Sequence, residues 1–226
     1  MRRQTYDSAD LDTQPMVIAI DGPAGAGKST TARLVAERLG FTYVDTGAMY
    51  RVITWIALRD QIDLGDGVAL GRASEQHQWD VEHGRVRVDG EDVTPALREP
   101  RVDREVSRVA AHAEVRAVLR ERQRAAAARG NAVIEGRDIA TVVAPDAAVK
   151  VYLTADEDER ARRRAAEYFG GDKETLVGEL RRRDEADAEQ SRPASDAMKI
   201  DTTGLEIDEV VERILRLADS VVAARQ

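Results

Sequence analysis

Gly22-Pro23-Ala24-Gly25-Ala26-Gly27-Lys28-Ser29, followed by Thr30, is the stretch whose residue types and spacing point most directly to chemistry. It satisfies the pattern G-x-x-x-x-G-K-[ST], in which glycines let successive backbone N–H groups converge on phosphate oxygens. A helix starting at Ser29 adds the favourable end of its dipole. Lys28 is then placed to reach β- and γ-phosphates, Ser29 to ligate Mg²⁺, and Thr30 to make a further phosphate contact. The ordinary alternative is a glycine-rich turn with a solvated lysine, and the flanking elements decide between the two. A loop of this kind implies a nucleoside triphosphate. It leaves the acceptor of any transferred phosphoryl group open, because switches, motors and kinases all use it.

The elements that must hold the loop are legible on both sides. Met16-Val17-Ile18-Ala19-Ile20 is an apolar run ending at Asp21 and Gly22, which suits a strand buried on both faces of a parallel sheet. After the loop, Leu34, Val35 and Leu39 are spaced for one helix face, and Gly40 stands as a C-terminal stop. The alternation continues with strands over 41–44, 132–134, 149–153 and 197–200 and a helix from about 48 to 59. A parallel five-stranded sheet covered by helices, an α/β fold of P-loop NTPase type, follows. Thr154 with Glu157 has the form of a capping box opening an arginine-rich helix. Ile207, Val210, Val211, Ile214 and Leu217 keep helical spacing in the last element. Between 78 and 93 the pattern changes to strand alternation, with His83-Gly84 and Asp89-Gly90 as turns, which predicts a small antiparallel insertion. The stretch 102–129 is predicted to be helical and to return the chain to the sheet.

Composition narrows the function classes. The 226 residues favour one α/β domain with insertions over two independent domains. A formal net charge of −8 argues against a general nucleic-acid scaffold. Basic residues are nevertheless concentrated at Arg160, Arg162, Arg163 and Arg164, and at Arg181, Arg182 and Arg183. Such clusters serve either as a phosphate-handling site or as a solvated helix face. Cysteine is absent, which removes thiol chemistry and fits a reducing cytoplasm. No apolar run approaches membrane-spanning length. Residues 1–14 are polar and lack the apolar core of a secretory signal, so they read as a flexible N-terminal extension, and a cytoplasmic protein is expected.

Tyr43-Val44-Asp45-Thr46-Gly47-Ala48-Met49-Tyr50-Arg51 follows the second strand and sets Asp45, Thr46 and Arg51 at its C-terminal edge, where open α/β sheets bind ligands. Taken with the loop, this segment resembles the bacterial cytidylate kinases, whose D-[ST]-G-A-x-Y-R segment follows a G-P-x-G-[AS]-G-K loop. The resemblance runs over nearly all of the chain from Val17 onward. It includes Val86-Arg87-Val88-Asp89-Gly90-Glu91-Asp92-Val93-Thr94, similar to that family's insertion, which adenylate, thymidylate and shikimate kinases lack. Val106-Ser107-Arg108-Val109-Ala110, Val115-Arg116 and Glu135-Gly136-Arg137-Asp138-Ile139-Ala140-Thr141-Val142-Val143 also match in order and spacing.

The resemblance implies roles residue by residue. Arg51 and Arg137 would hold the acceptor phosphate, Ser107, Arg116 and Asp138 would read the cytosine edge, and Asp45 and Thr46 would line the same pocket. Cytosine offers an amino donor to a carboxylate and ring acceptors to arginine and serine, and uracil reverses the donor at that edge. Each residue also has a structural alternative: Asp45 as a helix cap, Asp138 as the partner of Arg137, Ser107 bonded to its own helix. Glu135 either orients Mg²⁺ through water or pairs with an arginine.

The segment 160–183 resembles the family's lid, so that Arg163, Arg164 and Arg183 would swing over the ATP phosphates, with Gly170 and Gly171 as a bend. Past the lid the family continues with D-S-x-R and a proline-leucine pair. Here Asp184-Glu185-Ala186-Asp187-Ala188-Glu189-Gln190-Ser191-Arg192-Pro193 is shorter and carries Gln190 at the arginine position, with Arg192 two residues further on. Asp187 would be a ribose contact. The implied activity is Mg²⁺-dependent transfer of the ATP γ-phosphoryl group to CMP or dCMP, without nucleic acid or membrane, by a monomer. No general base is needed when the attacking group is an ionised phosphate oxygen. The expected organisation is a kinase domain over 15–226, with core 15–65, 130–155 and 195–226, acceptor-binding insertion 66–129 and a helical lid at about 156–194.

Overall fold

The computed structural model describes residues 15–82, 84–167, 173–188 and 191–225. The strands β1 (Val17–Asp21), β2 (Thr42–Asp45), β6 (Ala132–Gly136), β7 (Val149–Thr154) and β8 (Met198–Asp201) form a five-stranded sheet in the order β2-β6-β1-β7-β8. Strands β3 (Trp79–Glu82), β4 (Arg85–Val88) and β5 (Glu91–Asp92) form a separate antiparallel sheet. The helices are α1 (Lys28–Leu39), α2 (Thr46–Arg59), α3 (Gly67–Gln76), α4 (Pro100–Ala110), α5 (Ala113–Ala127), α6 (Glu157–Glu167), α7 (Lys173–Asp187) and α8 (Ile207–Arg225). The chain divides into two compact units, one holding residues up to Tyr43 and from Ala127 on, the other Val44–Ala126.

In the first unit β1 pairs in parallel with both β6 and β7, so it can afford no polar face, and Ile18, Ala19 and Ile20 are fully buried. The register sets Asp21 beside Gly136 of β6 and Tyr152 of β7, and Thr154 beside Asp201 of β8. The C-terminal ends of these strands therefore form one edge, from which the loop before α1, the turn after β6 and the segment after β8 all leave. Val35, Ala36 and Leu39 of α1 and Val210, Val211, Ile214 and Ala218 of α8 pack with Ile18, Ile20, Val151 and Leu153 into the main core. Burying the valine, leucine and isoleucine side chains among them stabilises by roughly 1.5–3 kcal/mol each. A smaller cluster joins Ala24 of the loop to Ala161 of α6 and Leu180 of α7.

In the second unit Val52, Ile53 and Ile56 of α2, Leu70 of α3 and Val102, Val106 and Val109 of α4 are buried. Asp45 caps α2, its Oδ1 accepting from the Ala48 N–H at 2.8 Å, and Asp66 caps α3 through the Ala69 N–H at 2.9 Å. The hairpin β3–β4 and β5 match the predicted antiparallel insertion. At its Asp89-Gly90 turn φ is 52° and 87°, the left-handed pair that turns of this twist require. On the exposed face Asp80 stands opposite Arg87 and Glu82 opposite Arg85.

Several sequence expectations shift. α2 begins at Thr46, two residues earlier than expected, because Asp45 supplies its cap. The second strand starts at Thr42 because the Phe41 N–H still closes α1, bonding to the Ala36 carbonyl at 2.9 Å. The stretch 102–129 is two helices: the Ala111 N–H folds back on the Ser107 and Arg108 carbonyls, and His112 Nε2 lies 2.8 Å from the Leu64 carbonyl. The capping box at Thr154 does not form. Thr154 ends β7, and the first α6 bond runs from the Arg160 N–H to the Asp156 carbonyl at 2.9 Å. Helix α3 has no counterpart in the sequence reading, since Gly67 and Gly71 weaken its propensity and its buried face is short. The expected extension at 1–14, the turn at His83 and the bend at Gly170 and Gly171 lie outside the described residues. Among those residues no helix is long and apolar enough to cross a membrane.

Candidate active site

The loop between β1 and α1 is shaped by close backbone approach. A Cβ on Gly22, at φ +147°, would lie 2.2 Å from the Leu153 carbonyl oxygen, so only glycine lets the loop cross the end of β7. At Gly25, φ is +77° and a Cβ would meet Arg160 Cβ at 2.9 Å and its carbonyl oxygen at 3.0 Å. The loop is thereby seated against α6. Gly27 precedes α1 without a side-chain cap, so no side chain of its own competes for the first-turn N–H groups. Lys28 Nζ donates to the Pro23 carbonyl at 2.8 Å, curling the lysine across the loop. Ser29 and Thr30 are exposed.

Ser29 Oγ donates to Glu135 Oε1 at 2.7 Å, and Tyr43 Oη reaches the same oxygen at 3.5 Å. Glu135 lies on the neighbouring strand β6 and is 3% exposed, so its carboxylate is held beside the loop by the sheet itself. Immediately after it, Arg137 donates from Nη1 to the Gly22 carbonyl at 3.1 Å and pairs through Nη2 with Asp187 Oδ2 at 2.9 Å. Asp187, expected as a ribose contact, is in this structure the buried partner of Arg137. Asp138 is buried and opens a π-helical turn, Ile139–Val143, with the Val142 N–H bonded to its carbonyl at 2.8 Å.

The arginine-rich segment is engaged with the same edge. Arg160, nearly buried, donates to the Ala24 carbonyl at 3.3 Å and to Asp184 Oδ2 at 2.5 Å. Arg163 uses Nε on Glu159 Oε1, Nη1 on Thr202 Oγ1 and Nη2 on the Thr202 carbonyl, each at 2.8 Å. Thr202 in turn donates to the Thr154 carbonyl at 2.9 Å. Arg163, expected over the phosphates, here ties α6 to the end of β8. Arg164 is half-buried on the same helix. The side chain of Arg183 and the position of Gln190 lie outside the described residues.

In the second unit Arg51 forms an ion pair with Asp103 and donates from Nη1 to the Leu97 carbonyl at 3.0 Å. Thr46 is buried at the start of α2, and Ser107 and Arg116 are half-buried on α4 and α5. Sequence reasoning did not single out Asp103, Thr202 or Asp21, and it named Arg160 only as one member of a basic cluster. Only Asp21 had a local signal, its place immediately before the loop.

Asp21 is the most perturbed group at this edge. Its Oδ1 and Oδ2 accept the N–H groups of Ile139 and Ala140, each at 2.8 Å. Burial pushes its carboxyl up from 3.8 to about 6, against the pull of these two bonds, while nearby Asp138 raises it further and Lys28 lowers it.

A phosphate-cradling loop on a parallel sheet, with a carboxylate on the adjacent strand and arginines around it, places the chain among the P-loop nucleotide-binding proteins. Residues 18–220 match the family model described as cytidylate kinase, and the chain belongs to that family. A protein of Desulfitobacterium hafniense named cytidylate kinase is 49% identical over 216 residues, 91% of this chain and 93% of that one. One of Listeria innocua with the same name is 42% identical, covering 93% of this chain and 99% of its own. Among solved structures, an uncharacterized protein from Eubacterium ventriosum aligns over 92% of this chain and 99% of that chain at a TM-score of 0.53 with 16% identity, a likeness of fold.

Proposed function

We propose that the chain transfers the γ-phosphoryl group of ATP to CMP, and to dCMP, giving ADP and CDP or dCDP. The observation that carries the donor half is the contact between Ser29 Oγ and Glu135 Oε1 at 2.7 Å, beside a glycine-shaped loop whose lysine is already folded across it. Two oxygen donors of this kind fit a hard cation, and Mg²⁺ commonly keeps the rest of its shell as water and phosphate. Ser29 would hold the ion directly and Glu135 through water. When bound, it supplies positive charge to the β- and γ-phosphate oxygens. The loop 22–30 binds and orients the triphosphate, and Lys28 exchanges the Pro23 carbonyl for phosphate oxygen. Arg163, Arg164 and Arg183 lie on a lid at about 156–194 that adds charge and excludes water on closure.

For the acceptor, family membership and the residues Asp45, Thr46, Arg51, Ser107, Arg116, Arg137 and Asp138 support CMP. Arg51 and Arg137 are each already paired with a carboxylate, Asp103 and Asp187, so an incoming phosphate competes for guanidinium groups that are held in place. Asp138 accepts the cytosine amino group, and uracil would face it with a carbonyl. Residues 66–129 act as the acceptor-binding insertion on a core of 15–65, 130–155 and 195–226. The reaction runs on a single chain in the cytoplasm. Calorimetry of CMP added to protein already holding Mg²⁺ and a non-hydrolysable ATP analogue tests the reading. We expect one further site per chain, and no heat from CMP would contradict it.

A further inference from the structure

β1 ends in a carboxylate that the loop pattern does not use. Asp21 is 3% exposed, and both of its oxygens are committed to the N–H groups of Ile139 and Ala140, 118 and 119 residues further along the chain. Those N–H groups open the π-helical turn, where the first donors have no partner within the turn and Asp138 provides no side-chain cap. A carboxylate on a different strand supplies the cap instead. Next to it the Arg137 guanidinium donates to the Gly22 carbonyl at 3.1 Å. The strand end 21–22 and the turn 137–140 are therefore joined by three hydrogen bonds, two of them to an ionisable oxygen, which are the stronger kind when it is charged.

This junction has a consequence for which ligand it serves. Arg137 and Asp138 are the two residues between the end of β6 and the clamped pair, so the direction their side chains take depends on where Ile139 and Ala140 are held. Both hydrogen bonds of the carboxylate go to these two N–H groups, while Lys28, whose Nζ donates to the Pro23 carbonyl, acts on it as a nearby charge. Chemistry also explains the residue type. Two parallel N–H donors need two acceptor oxygens, and an asparagine offers one oxygen and one NH₂, leaving a donor facing a donor in a buried place.

We infer that Asp21 is a positioning residue for the acceptor nucleotide: by clamping the Ile139 and Ala140 N–H groups it aims Arg137 and Asp138, and it does so without contributing to ATP binding. The inference rests on the reading that Arg137 and Asp138 hold the acceptor.

The test is Asp21→Asn, assayed with CMP varied at saturating ATP and with ATP binding followed separately by calorimetry. The CMP KM should rise about tenfold while the ATP dissociation constant stays within about twofold. Because Asp21 acts through Asp138, adding Asp21→Asn to Asp138→Ala should weaken CMP use far less than it does in the parent chain. Equal losses for ATP and CMP, or fully additive losses in the double variant, overturn the inference. If the parent enzyme uses CMP and Asp21→Asn leaves its KM unchanged, the inference alone falls. If the parent enzyme does not use CMP, the acceptor reading falls. A second measurement needs no substitution: amide exchange at Ile139 and Ala140 should be slowed more by CMP than by an ATP analogue, and equal slowing would count against the clamp.

Discussion

Replacing Asp21 by Asn should change how the stability of this protein depends on pH, and the size of the change can be worked from the structure. Burial holds the Asp21 carboxyl at about 6 in the folded chain against an ordinary 3.8, a rise of 6 − 3.8 = 2.2. This is the reverse of the usual carboxylate case. Between the two values the folded chain keeps a proton that the unfolded chain has released, so stability contributed by this group is full below 3.8 and falls as pH rises through about 6. The total fall is about 3 kcal/mol, at roughly 1.36 kcal/mol per unit, of which about 2 kcal/mol lies between about pH 4.5 and about pH 7.5. Asp138 and Lys28, the charged neighbours, act in opposite directions on the same proton. Asparagine has no proton to lose, so the Asn chain lacks this term whatever its absolute stability. Urea denaturation of both chains across that pH range should show the difference in unfolding free energy moving in favour of the Asn chain by about 2 kcal/mol toward high pH. Parallel curves, or a gap moving the other way, would refute the argument. The same result would show that the ionised carboxylate is kept at neutral pH at a cost in stability, as expected of a group retained for function.

Three further outcomes are expected. Gly25→Ala places a methyl 2.9 Å from Arg160 Cβ at φ +77° and should destabilise by roughly 2–5 kcal/mol while weakening ATP binding; an unchanged melting temperature and unchanged ATP affinity would mean the loop and α6 are not in this contact. Glu135→Gln should raise the Mg²⁺ concentration needed for half-maximal rate about tenfold, with little change in CMP KM, and an unaltered Mg²⁺ dependence would remove Glu135 from the ion's surroundings. Asp138→Ala should lower the preference for CMP over UMP, measured as the ratio of kcat/KM values, by roughly 10- to 100-fold with ATP affinity retained; equal losses for the two acceptors would exclude it from base reading.

What was legible in the sequence was local. The loop 22–30 could be read because its meaning lies in nine consecutive residues and in the strand and helix on either side. The buried strands could be read because β1 and β6 must be apolar on both faces. The Asp89-Gly90 turn was legible for the same kind of reason, since its residue types and its backbone angles answer the same steric demand. The misses were non-local or marginal. Asp21 looked like a strand end because its partners lie more than a hundred residues away, and the tie from Arg163 to Thr202 was not legible because nothing near Arg163 in sequence announces it. The helical stretch 102–129 hid its break because alanine and arginine are good helix formers on both sides of His112, whose ring bonds to a carbonyl in another segment. Thr154 and Glu157 had the spacing of a capping box, but the sheet had a stronger claim on Thr154, whose carbonyl accepts from the Thr202 N–H at 2.8 Å.

The central claim is best met by one assay: ADP release with Mg²⁺ and ATP, measured across CMP, dCMP, UMP, AMP, GMP and dTMP under identical conditions. The highest kcat/KM is expected with CMP, with dCMP also used. Preferential use of AMP, GMP or dTMP, or ADP release that no nucleoside monophosphate stimulates, would contradict it.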